Sequence, residues 1–200
     1  GLPVAVAVGA AAFRAMLAGA HAMDMHFRTS PLQANLPVRL GLLDVWYRNL
    51  LGFGSRCIAP YHAGLRRLPA YLQQLEMESN GKRVDRQGRP LALGSAPVLW
   101  GEPGTDGQHA FFQMLHQGSD IVPLEIIAVK QASHTLPGHQ EQLLANALAQ
   151  AVLDRAVHLG TRRGDRRLAR LLRHVQETRA GRVLAHDLVV AASPTARHPA

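Results

Sequence analysis

The stretch Arg56-Cys57-Ile58-Ala59-Pro60 is a short apolar run and predicts a buried strand. An amphipathic helix is predicted after it and ends near Glu78-Ser79-Asn80-Gly81, where asparagine and glycine are typical C-terminal caps. Pro97-Val98-Leu99-Trp100 predicts a second strand, residues 121–129 a third, and residues 140–159 a long helix. Short apolar strands that alternate with helices are typical of a parallel sheet covered on both faces, so the sequence predicts an α/β fold.

Apolar periodicity predicts the remaining helices and the faces that they bury. Residues 10–28 predict a buried helix, and a second helix is expected from Pro31 to about Leu51, with Ser30 and Gln33 as a capping box. Gly52 is expected to end that helix. Three- and four-residue spacing predicts two apolar faces. They consist of Leu36, Leu40, Leu43, Trp46 and Leu50 in the second helix, and of Leu65, Leu68, Tyr71, Leu72 and Leu75 in the helix after the first strand.

The composition excludes several classes of protein. The chain has 200 residues, of which 47% are hydrophobic and 18% charged, which is ordinary for a globular protein and too apolar for general disorder. Its one cysteine, Cys57, excludes an internal disulfide and a four-cysteine zinc site, and fits a reducing compartment. The longest apolar run, residues 2–13, is shorter than the about 20 residues that span a bilayer, so no membrane span is expected.

The net charge of +8 is concentrated near one end of the sequence. From residue 154 onward ten arginines stand against four acidic residues, whereas residues 1–153 hold twelve Lys and Arg against ten acids. Within residues 162–182 a basic helical stripe is formed by Arg162, Arg163, Arg166, Arg167, Arg170 and Arg173, which is the pattern of a nucleic-acid-binding surface. No aromatic residue interleaves with them, and Asp165 and Glu177 dilute the charge. A solvated helix or a divergent chain end is therefore the stronger interpretation, and nucleic-acid binding the weaker one.

Polar side chains gather at the end of the helix that follows the first predicted strand. Residues 73–82 read Gln-Gln-Leu-Glu-Met-Glu-Ser-Asn-Gly-Lys, with Glu78 at the helix terminus. The negative end of the helix dipole makes a carboxylate there a better proton acceptor. A positioned base is worth about 100- to 10,000-fold in rate. Glu78 is therefore a candidate general base, while the spacing alone leaves a solvated surface glutamate as the alternative.

A glycine-rich turn over residues 101–107 follows the second predicted strand, at a place where open α/β sheets bind ligands. A helix expected to begin near Gln108-His109 would offer N–H groups to anions and favour a neutral imidazole at His109. The turn is not a P-loop, because no Gly-Lys-Ser/Thr sequence follows it. A structural turn with a capping histidine is the alternative. The other histidines show no metal-ligand spacing, so no metal site is expected.

Several ordered blocks carry a family resemblance. Among them are Ala18-Gly19-Ala20-His21-Ala22-Met23-Asp24, Val45-Trp46-Tyr47-Arg48-Asn49, Met77-Glu78-Ser79-Asn80-Gly81-Lys82, Trp100-Gly101-Glu102-Pro103-Gly104-Thr105 and Gly107-Gln108-His109-Ala110-Phe111. Residues 1–155, over which they are spread, resemble the central and later part of the glucose-6-phosphate isomerase (phosphoglucose isomerase) family. The resemblance implies a sugar-isomerase (SIS) fold, a three-layer α/β sandwich with a parallel sheet flanked by helices. Residues 156–200 are left as an arginine-rich divergent segment.

The resemblance also implies an activity and its residues. Members of the family interconvert glucose 6-phosphate and fructose 6-phosphate through a cis-enediol, in glycolysis and gluconeogenesis, without a metal or cofactor. Glu78 matches the base that moves a proton between C1 and C2, His109 matches the acid/base that opens the sugar ring, and Gln74 matches a glutamine that contacts the substrate. In the family the histidine comes from the partner subunit. The resemblance therefore implies a cytoplasmic homodimer that binds a sugar phosphate and neither membrane nor nucleic acid.

The sequence also departs from the family pattern. Asp106 stands where an asparagine is usual, and Tyr61-His62-Ala63 replaces the usual Tyr-Asp-Gln. The family's enediolate-stabilising arginine, its phosphate loop and its active-site lysine match no residue of the 200. The chain is therefore expected to be an incomplete isomerase with little or no activity by itself. A non-catalytic sugar-phosphate-binding module of the same fold is the alternative, although such a module needs neither Glu78 nor His109.

Overall fold

The computed structural model of the chain describes residues 1–158 and the strand Leu188–Ala191, and the side chains of residues 1–151. The chain divides into two compact units, Gly1–Leu51 and a second that begins at Gly52. The basic stripe over residues 162–182 lies outside the described residues, so its interpretation stays a prediction.

The first unit is helical. Helix α1 spans Leu2–Thr29, and α2 spans Leu36–Val45 and continues as a single π-helical turn over Trp46–Leu50. Gly52 follows with a φ of 74°, a conformation that suits glycine at a helix end. The apolar face predicted for the second helix is not buried, because all five of its side chains are exposed: Leu36, Leu40, Leu43, Trp46 and Leu50.

The second helix begins later than predicted, and its cap is a different residue. The Asn35 side-chain oxygen accepts from the Val38 N–H at 3.3 Å, so Asn35 is the N-cap. The Asn35 amide also donates to the Phe27 carbonyl oxygen at 2.7 Å, which ties the start of α2 to the end of α1. Ser30 is not the N-cap of α2, because it is the C-cap of α1 and its hydroxyl lies 2.9 Å from Nδ1 of His26. The predicted capping box is therefore wrong.

Helix α1 is longer than the apolar run of the sequence indicated. Its 28 residues are long and apolar enough to cross a membrane, and none of them is buried. A kink at Gly9, where φ is 82° and ψ 157°, divides the helix. Length and composition are weak support for a span, because core helices of soluble proteins and signal sequences share them. The expectation that the chain spans no membrane stays a prediction.

The second unit is built on a parallel sheet. Its strands are β1 (Ser55–Tyr61), β2 (Val98–Trp100), β3 (Leu124–Val129) and β4 (Leu188–Ala191). They lie in the order β2-β1-β3-β4, and every pairing is parallel. The three predicted strands are confirmed. Strand β4 has no counterpart among them, because residues 156–200 were interpreted only as an arginine-rich divergent segment.

Helices cover both faces of the sheet. Successive side chains of a strand point to opposite sides, so the strands contribute to two apolar clusters, one on each face. The helices of one layer are α5 (Phe112–Gln117) and α6 (His139–His158), and α3 (Leu68–Leu72) lies in the other. One cluster comprises Cys57, Ala59, Tyr61, Phe112, Leu115, Leu124, Ile126 and Ala147 among its buried members, and the other Ile58, Leu99 and Ile127 with Leu65, Leu68, Leu72 and Met77 packed on them. This order of helix, parallel sheet and helix confirms the predicted α/β class.

Candidate active site

The helix after β1 changes its winding. Helix α3 runs directly into a π-helical segment, Gln73–Glu78, whose backbone hydrogen bonds span five residues. Leu72 and Met77, five residues apart, both pack on the sheet, whereas Leu75 is 52% and Tyr71 61% exposed. The predicted apolar face is therefore wrong at Leu75 and Tyr71. A π turn contains more residues than an α turn, so the next side chain after Leu72 to face the sheet is that of Met77.

The π-helical segment carries two of the predicted site residues, Gln74 and Glu78. Both are exposed, and their spacing of four residues places them on the same side of the helix. The chain turns away directly afterwards, where the Gly81 N–H donates to the Met77 carbonyl oxygen at 2.9 Å and Nζ of Lys82 donates to the Glu78 carbonyl oxygen at 2.6 Å. Glu78 therefore lies close to the helix end, as predicted.

An ion pair holds this segment against the sheet. Nη2 of Arg56, the second residue of β1, donates to the Glu76 carboxylate at 2.7 Å, and its Nε lies 3.9 Å from the Glu125 carboxylate on β3. All three side chains are mostly buried. Charge-assisted bonds between partly buried groups are stronger than neutral ones. The last turn of the π-helical segment is thus held beside the amino end of β1.

The glycine-rich turn lies at the other end of the strands. Gly101 follows β2 with a φ of 149°, and a Cβ there would lie 1.9 Å from the carbonyl oxygen of Ile58. A Cβ on Gly104 would lie 2.0 Å from the ring of Tyr61, the last residue of β1. The turn therefore passes directly over the carboxyl end of β1, and only glycine allows that approach.

Helix α4 (Gly104–Ala110) carries His109 in its last turn. The helix begins at Gly104, because the Pro103 carbonyl oxygen accepts from the N–H groups of Asp106 and Gly107 at 3.0 and 2.9 Å. The expectation of a helix that begins near Gln108-His109 is therefore wrong, and so is the argument that a helix N-terminus faces His109. The imidazole is exposed.

The residue before His109 ties α4 to β1. Nε2 of Gln108 donates to the hydroxyl oxygen of Tyr61 at 3.0 Å. Tyr61 is almost fully buried, and this burial raises the pKa of its phenol to about 12, although the Gln108 hydrogen bond opposes the shift. The phenol is therefore neutral at physiological pH, and Gln108 holds the last turn of α4 at the carboxyl end of β1.

Gln74 and Glu78 lie on one π-helical segment, whereas His109 lies on α4, and the two elements are tied to different parts of β1. Glu76 bonds to Arg56 near the amino end of β1, and Gln108 bonds to Tyr61 at its carboxyl end. Arg56 and Tyr61 are five residues apart, a rise of about 16 Å along an extended strand. The two elements that carry the candidate catalytic residues are thus anchored near opposite ends of β1.

Two further histidines, His62 and His134, lie in the loops after β1 and β3, and a third, His139, begins α6. Nδ1 of His62 accepts from the Gly64 N–H at 3.1 Å, which caps a short 3₁₀ turn, and its Nε2 lies 3.3 Å from the Ser133 hydroxyl. Nδ1 of His139 lies 3.0 Å from Nε2 of His134. In the part of the chain that the structure describes, no group of three His, Cys, Asp or Glu side chains is placed to hold a metal ion.

Comparison with known proteins places the chain in a family. The family model of phosphoglucose isomerase matches residues 1–177. The chain belongs to the phosphoglucose isomerase family. It is similar to curated glucose-6-phosphate isomerases of Albidiferax ferrireducens, 74% identical over 151 residues, and Polaromonas naphthalenivorans, 72% identical over 151 residues. Each match covers 76% of this chain and 29% of the relative, so the chain spans under a third of the length of these proteins.

Two solved structures share this architecture. A crystal structure of a glucose-6-phosphate isomerase from Chlamydia trachomatis is 43% identical, with a TM-score of 0.61, over 66% of this chain and 27% of that one. A hypothetical protein, TT0462, from Thermus thermophilus is 26% identical, with a TM-score of 0.58, over 74% of this chain and 37% of that one.

The residues that anchor the site are not among the residues predicted from the sequence. Gln73, Met77 and Gln108 each neighbour a candidate residue, and Arg56 and Tyr61 lie at the two ends of β1. The sequence does contain a signal for Gln73 and Met77. They precede Gln74 and Glu78 by one position each and have the same four-residue spacing. No sequence signal identifies the partners of Arg56 and Gln108, since those contacts join residues 20 and 47 positions apart.

Proposed function

We propose that this chain supplies the proton-transfer base and the ring-opening histidine of a glucose-6-phosphate isomerase. The observation that carries the proposal is the exposed pair Gln74 and Glu78 on an anchored π-helical segment, in a chain that the phosphoglucose isomerase family model matches over residues 1–177. The Glu78 carboxylate has no hydrogen-bond or ion-pair partner in the part of the chain that the structure describes. It is thus available to a substrate.

The proposed chemistry needs two groups and no redox step. His109 exchanges a proton with the ring oxygen, which opens the sugar. The Glu78 carboxylate then takes the proton from C2 of the open aldose, whose acidity comes from the adjacent carbonyl, and a cis-enediolate forms with its negative charge on O1. The proton of the O2 hydroxyl passes to O1, which leaves the charge on O2. Return of the proton to C1 gives the ketose. Gln74, one helical turn before the base, contacts the sugar phosphate. The proposal includes no metal or cofactor.

The anchoring of the two residues supports a site shared between two copies. Both proton transfers act on one small sugar, whereas Glu76, close to Glu78, is tied to Arg56 and Gln108, next to His109, is tied to Tyr61. Arg56 and Tyr61 lie about 16 Å apart along β1. We therefore propose a homodimer in which His109 of one copy reaches the Glu78 of the other. A cytoplasmic location, the SIS name for the fold, the division at residue 155 and the absence of membrane and nucleic-acid partners remain part of the proposal.

The experiment that tests the function is turnover of fructose 6-phosphate. The chain by itself should show little or no activity, because no residue in it matches the family's phosphate loop, arginine or lysine. A chimera, in which this chain replaces the matched segment of the Albidiferax ferrireducens relative, should be active. Robust turnover by the chain alone would contradict the expectation of incompleteness, and an inactive chimera that folds would contradict the proposed function.

The same chimera distinguishes the isomerase from the alternative function. A non-catalytic sugar-phosphate-binding module would bind fructose 6-phosphate and leave it unchanged. Calorimetric titration measures binding, and a coupled assay measures turnover. Binding without turnover would favour the module, whereas turnover that disappears on Glu78→Gln favours the isomerase.

A further inference from the structure

The middle residue of β2 is bonded to the π-helical segment through both of its backbone polar groups. The Leu99 N–H donates to Sδ of Met77 at 3.3 Å, and the Leu99 carbonyl oxygen accepts from Nε2 of Gln73 at 3.0 Å. Leu99 is fully buried, and β2 is an edge strand of the described sheet. The two side chains therefore hydrogen-bond to the backbone N–H and carbonyl oxygen that an edge strand directs away from its neighbouring strand. We name this pair, Gln73 and Met77 on Leu99, the edge clamp.

The edge clamp has the same spacing as the site pair. Gln73 and Met77 are four residues apart, and Gln74 and Glu78 are the next residue after each. A helical segment turns as a unit, so two contacts one turn apart on Leu99 fix the rotation of that segment about its axis. The Glu76–Arg56 ion pair at 2.7 Å adds a third contact within the same turn.

We propose that Gln73 and Met77 are positioning residues for Glu78, an inference that depends on the function proposed above. A carboxylate base must lie within hydrogen-bond reach of the carbon that it deprotonates. Release of the edge clamp would let the segment rotate and would move Glu78 and Gln74 together. A displacement of about 1 Å at a reacting group costs roughly 100-fold in rate. Gln73 and Met77 thus act through Glu78 and not by contact with the sugar.

The test is the Gln73→Met variant in the chimera, which keeps an unbranched side chain and removes the donor to Leu99. We expect kcat for isomerisation to fall about 10- to 100-fold, with KM changed less than about twofold. Interconversion of the fructose 6-phosphate anomers, which needs only ring opening by His109, should keep its rate. The matched control is Gln113→Met, because Gln113 is exposed on α5 and should leave both rates unchanged.

A second variant keeps the inference testable if Gln73→Met does not fold. Met77→Leu preserves the apolar packing and removes the sulfur acceptor, and it should show the same split between isomerisation and anomer interconversion. An unchanged kcat, or an equal loss of both rates in the folded variants, would overturn the positioning role. An unaltered chimera without turnover, or one that keeps turnover after Glu78→Gln, would overturn the proposed function itself and the inference with it.

Discussion

At the residue scale, Tyr61 joins the carboxyl end of β1 to the helix that carries His109. Its hydroxyl accepts from Gln108 at 3.0 Å, and burial raises its pKa to about 12 from the ordinary 10. Tyr61→Phe leaves the Gln108 amide without this acceptor and should lower the free energy of unfolding by about 1 kcal/mol at neutral pH. Urea unfolding of the chain measures the difference. Tyr71→Phe is the control, since Tyr71 is exposed and should cost almost nothing.

The same tyrosine predicts a pH dependence. The folded state holds the phenolic proton more tightly than the unfolded state, so the stabilisation is fully present below pH 10 and is lost as the pH rises to about 12. A shift of this size corresponds to about 3 kcal/mol. Urea unfolding at pH 9 to 12 should show that loss in the unaltered chain and not in Tyr61→Phe. An equal loss in both would contradict the assignment.

Gly104 predicts a steric effect at the same contact. Because a Cβ would lie 2.0 Å from the buried Tyr61 ring, Gly104→Ala should lower the free energy of unfolding by about 2 kcal/mol or more. Gly54→Ala is the matched control, since nothing lies within 4 Å of a Cβ there. Thermal or urea unfolding of the two variants decides the point. Equal stability would show that the turn can move away from β1.

At the element scale, the π-helical winding determines which leucine is buried. Leu72 packs on the sheet and Leu75 is 52% exposed, although regular α-helical spacing would bury both. Leu72→Ala should cost about 2 kcal/mol and Leu75→Ala less than about 0.5 kcal/mol in the free energy of unfolding. Equal costs in urea unfolding would indicate an ordinary α-helix through residues 68–80.

Periodicity predicted this helix but not its winding. The predicted apolar face is correct at Leu68 and Leu72 and fails at Tyr71 and Leu75. The π-helical segment bonds to Leu99, which lies 22 and 26 residues further along the chain, and local spacing does not reveal such contacts. The cap of α2 shows the same limit, since the sequence pattern favours Ser30, whereas Asn35 is the N-cap and Ser30 bonds to His26. Local spacing indicates where helices form, whereas tertiary contacts decide their turns and ends.

At the scale of the whole molecule, the alternation of strands and helices was enough to predict a parallel α/β sheet. The same alternation did not predict the arrangement of the site. Ligands of such sheets bind at the carboxyl ends of the strands, which points to the turn at residues 101–107 but not to Glu78. The resemblance identified Glu78 and His109 as candidates. The Glu76–Arg56 ion pair and the Gln108–Tyr61 hydrogen bond anchor the elements that carry them near opposite ends of β1.

A shared site predicts that two inactive variants restore activity when they are mixed. Glu78→Gln and His109→Ala chimeras should each be inactive, yet refolding them together should return about a quarter of the original turnover, since half of randomly paired dimers are mixed and each holds one intact site. Refolding each variant alone is the control. No recovery in mixtures that contain mixed dimers would place both residues of a site in one chain.

The most direct test of the central claim is exchange of the C2 proton of glucose 6-phosphate with deuterated solvent. Proton NMR follows the exchange in the chimera and in its Glu78→Gln variant, with Glu141→Gln as the control because Glu141 is exposed at the start of α6. We expect exchange to stop in Glu78→Gln while sugar-phosphate binding is kept, and to continue unchanged in Glu141→Gln. Exchange that persists in Glu78→Gln would show that Glu78 is not the base.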